Sequence, residues 1–162
     1  MNSKLVFFSN FLKKPKEVAS VIPCSKYVIW KILRNIDFEN VKCIVEYGSG
    51  TGNMTNALLN NLNPDAKLIC FEINKNFCNF LKDNIKIKDP RLEVINDTAQ
   101  NLDFYLKEYK ISGVDCAVSN IPFSLINKEE KKAIVQKTKD SLRLHGKFIV
   151  YQNSQHMRKY LN

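Results

Sequence analysis

Residues 41–52 read V-K-C-I-V-E-Y-G-S-G-T-G, and this stretch constrains the fold more than any other. An apolar, β-prone run ends in a carboxylate, Glu46, then turns through glycines at alternate positions, Gly48, Gly50 and Gly52. Residues 53–61 follow with helical spacing, placing Met54, Ala57, Leu58 and then Leu62 on one face. Strand, glycine turn and helix is how an open α/β sheet presents the carboxyl ends of its strands to a nucleotide-like ligand. Glycine lets the backbone approach such a ligand with no Cβ in the way, and it adopts positive φ readily. A tight strand-to-helix corner with no ligand would use the same residues.

Spacing separates the candidate ligands. A dinucleotide turn needs glycine at position 53, where Asn53 stands, and a phosphate loop needs Gly-Lys-Ser/Thr, which is absent. Residues 67–73 (K-L-I-C-F-E-I) read as a second, buried strand that delivers Glu72 at its carboxyl end. A carboxylate about 20 residues beyond the glycine turn can accept both hydroxyl protons of a ribose. It would equally suit the first turn of a helix over 76–81. A third strand over 92–96 leads into Asp97-Thr98-Ala99, where Asp97 is placed to cap a helix over 100–108. A fourth, Val114–Ser119, runs into Asn120-Ile121-Pro122-Phe123, which read alone is a turn that stops a strand. A fifth is expected over 147–151, after Leu144-His145-Gly146. Ahead of the first strand, residues 25–36 form a helix opened by Pro23-Cys24-Ser25, with Val28, Ile29, Ile32 and Leu33 inward and Trp30 beside them. The units 41–62, 67–86, 92–109 and 114–142 alternate β and α, which predicts an α/β fold with a parallel sheet and right-handed crossovers.

The chain has 162 residues and is expected to form one domain, with a helical cap over 1–36 and an α/β core over 37–162. Its five cysteines, Cys24, Cys43, Cys70, Cys78 and Cys116, show no C-x-x-C or other ligand-like spacing. They read as small buried hydrophobes in a reducing, cytoplasmic setting, without structural zinc or disulfides. No run approaches 18 apolar residues, and residues 1–14 lack a signal-peptide cleavage region. The net charge of +9 is uneven: residues 1–34 hold seven Lys/Arg against one acid, and 131–162 hold eight against one. Such basic ends draw a protein toward polyanions, either RNA or an anionic membrane surface. The positive charge is nearly all lysine, 21 Lys against 4 Arg, which is also what a compositional bias would give.

The pattern E-x-G-x-G-x-G from Glu46 resembles the first motif of class I S-adenosylmethionine (SAM) methyltransferases. N-I-P-F at 120–123 resembles the fourth motif of those that methylate nitrogen. The resemblance implies a Rossmann-like sheet of order 3-2-1-4-5 and a SAM site built from Glu46, Gly48, Ser49, Gly50, Gly52, Glu72, Ile73, Asp97, Thr98 and Asn120. In it, Asp97 and Thr98 would lie beside the adenine. Asn120, Ile121, Pro122 and Phe123 would form the acceptor site. The amide oxygen and the following carbonyl would take hydrogen bonds from the nitrogen, the proline would fix the turn, and the ring of Phe123 would stack on or cage the acceptor. No metal is implied, since methyl transfer from a sulfonium activates no water.

Two families of this class are in play. F-L-K-K-P-K at 11–16 and S-V-I-P-C-S-K at 20–26 resemble the entry segment of bacterial phospholipid N-methyltransferases. The resemblance continues through V-E-Y-G-S-G-T-G-N-M-T, F-E-I-N-K-N-F-C, V-S-N-I-P-F and H-G-K-F-I-V-Y-Q. It implies methylation of a phosphatidylethanolamine-type amine by an enzyme peripheral to the inner membrane face, with Lys26 and Tyr27 near the substrate mouth. Ser20 and Cys24 depart from the family's glycine and first serine, and Asn120-Ile121 from its Gly-Leu. Leu5, Phe8, Phe11 and Leu12, ringed by Lys4, Lys13, Lys14 and Lys16, would lie in a bilayer interface or close over the cofactor. N-I-P-F is in turn similar to the signature of ribosomal RNA adenine N6-methyltransferases, which hold a flipped adenine. A third reading is a SAM-binding module that needs a partner. A class I sheet normally continues with strands 6 and 7, and without them strand five is an edge that another protein or a second copy would cover.

Overall fold

The computed structural model describes residues 24–123 and 126–151. The basic aromatic segment at 5–16, residues 20–23 of the entry segment and residues 152–162 lie outside the described residues. Five strands, β1 (Cys43–Tyr47), β2 (Lys67–Phe71), β3 (Leu92–Ile95), β4 (Val114–Ser119) and β5 (Leu142–Val150), form one sheet of order β3-β2-β1-β4-β5. All four pairings are parallel, as the alternation of β and α segments predicts. The helices are α1 (Lys26–Leu33), α2 (Asn53–Leu59), α3 (Lys75–Asn84), α4 (Leu102–Glu108) and α5 (Lys128–Ser141).

Alternate side chains along each strand supply two cores, one on each face of the sheet. Ile44, Leu68, Cys70, Cys116 and Val118 pack with Ile32 of α1, Met54 and Leu58 of α2, and Cys78 and Leu81 of α3. Val45, Tyr47, Ile69, Phe71 and Ala117 pack with Leu102 and Leu106 of α4 and Ile134 and Val135 of α5. β1 sits centrally, so all five of its residues are buried, Glu46 included. Burying apolar surface on both faces at about 25 cal/mol per Å2 is the main force holding the helices to the sheet. Local signals agree with it: Ser25 caps α1, Asn74 caps α3, and Asn127 with Glu130 forms a reciprocal capping box on α5.

Three expectations are corrected. β5 begins at Leu142, directly after α5, five residues earlier than its apolar run suggests. Val114 pairs with Leu142 but Cys116 with Lys147, so residues 143–146 bulge out of register. The chain doubles back so tightly there that a Cβ on Gly146 would come within 2.9 Å of the Arg143 carbonyl oxygen, while His145 takes φ 66°. Arg143 is meanwhile held by Asp115 at 3.1 Å, and Asp115 accepts the N–H groups of Lys42 (2.8 Å) and Cys43 (2.9 Å), pinning β4 to the start of β1. The second correction concerns Trp30, which is half exposed, with Val28, Ile29, Ile32 and Leu33 alone facing the core. Third, the helix expected over 100–108 begins as a 3-10 turn, Ala99–Asn101, capped by the Thr98 hydroxyl, with Asp97 in another role.

Candidate active site

Four parallel strands place their carboxyl ends along one edge of the sheet, and the polar residues of the sequence motifs gather there. After β1 the chain turns through Gly48, Gly50 and Gly52, all with positive φ (75°, 52° and 82°). A Cβ on Gly48 would lie 3.5 Å from the Asn120 carbonyl carbon and the Ile121 nitrogen, so the turn meets the end of β4. On its other side the Gly50 N–H donates to Glu72 Oε2 at 2.8 Å. Glu72 Oε1 accepts from the Asn74 N–H at 2.9 Å, and the Asn96 amide donates to the carbonyls of Glu72 (2.9 Å) and Ile73 (3.0 Å). The ends of β4, β1, β2 and β3 are thus stitched together in sheet order.

Glu72 is buried, and burial pushes its carboxyl pKa above the ordinary value, against the pull of the Asn74 and Gly50 N–H groups. Its role as a plain acid at a helix start is corrected, because Asn74 caps α3 instead. Its two carboxylate oxygens offer about four lone-pair sites, and the backbone N–H groups of Gly50, Asn74 and Ile73 draw on them without filling all. Ile73 beside it is 70% exposed, an apolar shelf at the tip of β2. Asp97 accepts from the Thr98 N–H (2.7 Å), the Asn101 amide (2.9 Å) and the Tyr105 hydroxyl (3.0 Å). Those bonds, Asn101's first, hold its carboxyl below the usual carboxylate range.

Glu46 is the unusual group. It has no exposed surface, and Oε2 accepts from Thr55 Oγ1 at 2.7 Å and Cys70 Sγ at 3.1 Å. Glu46 Oε1 and the Ser49 hydroxyl are both buried, and neither makes a hydrogen bond of normal geometry, although the hydroxyl lies close enough to Glu46 and Cys70 to act on both. Desolvation drives the Glu46 pKa up, offset in part by the Thr55 and Cys70 bonds and the Ser49 hydroxyl. An unpartnered buried carboxylate oxygen costs on the order of 1–3 kcal/mol unless something fills it. A cationic amine is the chemistry that fills it best. With Gly48 leaving the turn open toward Asn120, these residues suit the zwitterionic methionine end of SAM.

The β4 tip brings together some of the expected acceptor residues and removes another. Asn120 Oδ1 accepts from Cys24 Sγ at 3.3 Å, and its backbone N–H donates to the Tyr47 carbonyl at 2.9 Å. Ile121 and Pro122 are partly exposed beside it. Phe123, expected to offer its ring to an acceptor, is instead fully buried in the α4–α5 core with Tyr47 and Phe71. The ring anchors the turn, because an unpaired aromatic gains more from that core than from solvent. Lys26 and Tyr27 follow Cys24 on α1 and are exposed. Sequence reasoning missed Cys24, Thr55, Cys70 and Asn96. Cys70 lies directly opposite Glu46 in the β1–β2 register, so that contact follows once the register is known. Thr55, two residues into α2, and Asn96, expected only to end β3, carry no comparable mark. Among the described residues no cluster of His, Cys, Asp and Glu could hold a metal ion.

This sheet order, with a glycine turn after β1 and an acid after β2, defines a class I SAM-dependent methyltransferase, and SAM is its cofactor. Residues 7–157 match the family model for ribosomal RNA adenine dimethylases, and the chain belongs to that family. It is similar to an ornithine lipid N-methyltransferase of Singulisphaera acidiphila, 27% identical over 91% of this chain and 77% of the relative. It is also similar to a ribosomal RNA small subunit methyltransferase A of Mesomycoplasma hyopneumoniae, 37% identical over 60% of this chain. The match spans about a third of that relative's length, 34%. In fold it resembles the fibrillarin of Aeropyrum pernix solved with natively bound SAM, at TM-score 0.54 and 15% identity, covering 74% of this chain and 50% of that one.

Proposed function

We propose that this methyltransferase acts on the amine of a membrane lipid headgroup, of the phosphatidylethanolamine or ornithine type, while peripheral on an anionic membrane face. Extent of similarity carries this reading. The lipid N-methyltransferase is matched over 77% of its length, the ribosomal RNA enzyme over 34%. Among the described residues no helix is long and apolar enough to cross a membrane, so the protein would meet lipid from the surface.

SAM supplies an electrophilic methyl group on a sulfonium. In this reading Glu46 Oε1 is the acceptor assigned to its ammonium, and Ser49 with the Gly48–Gly52 turn serves its carboxylate. Glu72 accepts from the ribose hydroxyls, Ile73 supports the adenine, and Asp97 and Thr98 line its amino edge. The acceptor enters as a neutral amine, because only a free lone pair can displace the sulfur. Asn120 Oδ1 and the neighbouring carbonyl accept its N–H bonds and so aim that lone pair, which is most of what an in-line displacement requires. The nitrogen gains the methyl and releases a proton to solvent. Cys24, already bonded to Asn120, fixes the amide's orientation.

A second reading, adenine N6-methylation of ribosomal RNA, is favoured by N-I-P-F itself and by the family match. Against it, the Phe123 ring is packed in the core and would have to leave it to stack on a base. Methyl transfer from labelled SAM, run in parallel on phosphatidylethanolamine-containing anionic liposomes and on undermethylated ribosomal RNA, decides between them. Label is expected in lipid; label in RNA alone reverses the assignment, and label in neither points to a partner-dependent module. Asn120→Ala is expected to cut transfer at least 100-fold with SAM affinity within about twofold of the parent, a split that a merely structural turn would not give.

A further inference from the structure

The outer face of α1 takes no part in the site described above, yet it is built unlike an ordinary solvated helix surface. Tyr27 and Trp30 are 62% and 50% exposed, and their rings stack at 6.1 Å with an interplanar angle of 23°. Lys31 Nζ lies 4.7 Å from the Tyr27 ring centre, and the Arg34 guanidinium lies 4.6 Å from that of Trp30. Spacings of three and four residues bring all four side chains onto one side, opposite the core-facing Val28, Ile29, Ile32 and Leu33. Lys26 adds a third cation; Lys26–Leu33 contains no acid, and Asp37 and Glu39 lie beyond its end. The helix starts two residues after Cys24, whose thiol touches Asn120, so the Tyr27 end of this face lies nearest the candidate acceptor site, while beyond Arg34 the Asn35 carbonyl accepts from Lys147 Nζ on the far side of the sheet.

We infer that the Tyr27–Trp30–Lys31–Arg34 face of α1 is a docking surface for an anionic lipid bilayer, with its Tyr27 end nearest the acceptor mouth. The inference deepens the lipid-headgroup reading and rests on it. Tyrosine and tryptophan prefer the boundary between headgroups and hydrocarbon, where an apolar ring and a polar edge are both served. Flanking Lys and Arg are drawn to anionic headgroups, and their apolar stems cover the surface between. The same observations disfavour single-stranded RNA. Base stacking needs an open ring face, and here each ring lies against its aromatic neighbour and carries a cation.

Trp30 is the chain's single tryptophan, so its emission reports on this face alone. The full chain is titrated, without SAM, with vesicles of phosphatidylglycerol and phosphatidylcholine, which offer no amine acceptor. Transfer to phosphatidylethanolamine in detergent micelles is measured separately, so that docking and acceptor identity fail independently. Trp30 emission is expected to shift to the blue on anionic vesicles, to be quenched by brominated lipid, and to be unmoved by pure phosphatidylcholine. Lys31→Gln with Arg34→Gln is expected to weaken partitioning about 30-fold, with SAM affinity unchanged. Failure to bind anionic vesicles overturns the inference, as does binding that leaves Trp30 emission unshifted and unquenched. Partitioning unaffected by the double substitution, or a Trp30 shift on ribosomal RNA but not on vesicles, overturns it equally.

Discussion

Individual residues at the β1 tip have separable duties, and the glycines show it most sharply. A Cβ on Gly52 would lie 2.5 Å from Ile85 Cδ1 and 2.8 Å from Leu81 Cδ2, at φ 82°. Gly52→Ala therefore combines left-handed strain with overpacking and is expected to cost about 2–4 kcal/mol in urea unfolding. Gly48→Ala meets only ordinary contacts at 3.5 Å, so the cost of φ 75° is expected to stand nearly alone, at about 1–2 kcal/mol. Its Cβ would project toward Asn120, and calorimetry should show the larger loss in SAM affinity. Glu46 makes a pH argument. Burial raises its folded pKa, so above the ordinary value of 4.5 the native chain retains a proton that the unfolded chain has released. Stability contributed by this group therefore declines as pH rises through that window. Glu46→Gln is expected to flatten part of that decline as pH rises above 4.5 and to raise the urea midpoint there, while weakening SAM binding at least tenfold. Asp97, with its pKa held low, acts oppositely, and what its bonds contribute is lost as pH falls below 3.8.

Elements were readable in the sequence wherever one signal dominated. Val114–Ser119 matched its apolar run end to end, and β2 and β3 were found with their ends overrun by two residues and one. Both overruns are strand tips, where extended backbone continues after sheet pairing stops. β5 was half legible, because its opening residues 142–146 mix polar with apolar side chains and run out of register, and only 147–151 resembled a strand. What substitutes for apolar burial there is Asp115, which joins β4, the entry to β1 and Arg143 of β5. Asp115→Ala leaves the Lys42 and Cys43 N–H groups without that acceptor and is expected to destabilise the fold by about 1–3 kcal/mol. Arg143→Ala, which removes one half-exposed partner, is expected to cost under about 1 kcal/mol. Equilibrium urea unfolding of both variants tests the ranking.

At the scale of the molecule, the sheet order and the meeting of four strand tips followed from β/α alternation and motif spacing. Side-chain direction at those tips did not. Phe123 could face acceptor or core, and only the volume available between α4 and α5 decides it. Trp30 could likewise have joined its apolar neighbours on α1. Binding SAM to the native chain alone should stabilise the whole: at 100 times its dissociation constant the gain is about 2.7 kcal/mol. For a chain of this size that corresponds to a rise of roughly 5–10 °C in thermal midpoint, measurable by scanning fluorimetry. A chain whose midpoint ignores SAM would contradict the cofactor assignment.

Glu72 bears on the fold as well as on affinity. One carboxylate clasps both the glycine corner after β1 and the entry to α3, so the backbone on this side of the site is braced by the chain's own hydrogen bonds. Loss of that one side chain would release two strand tips together.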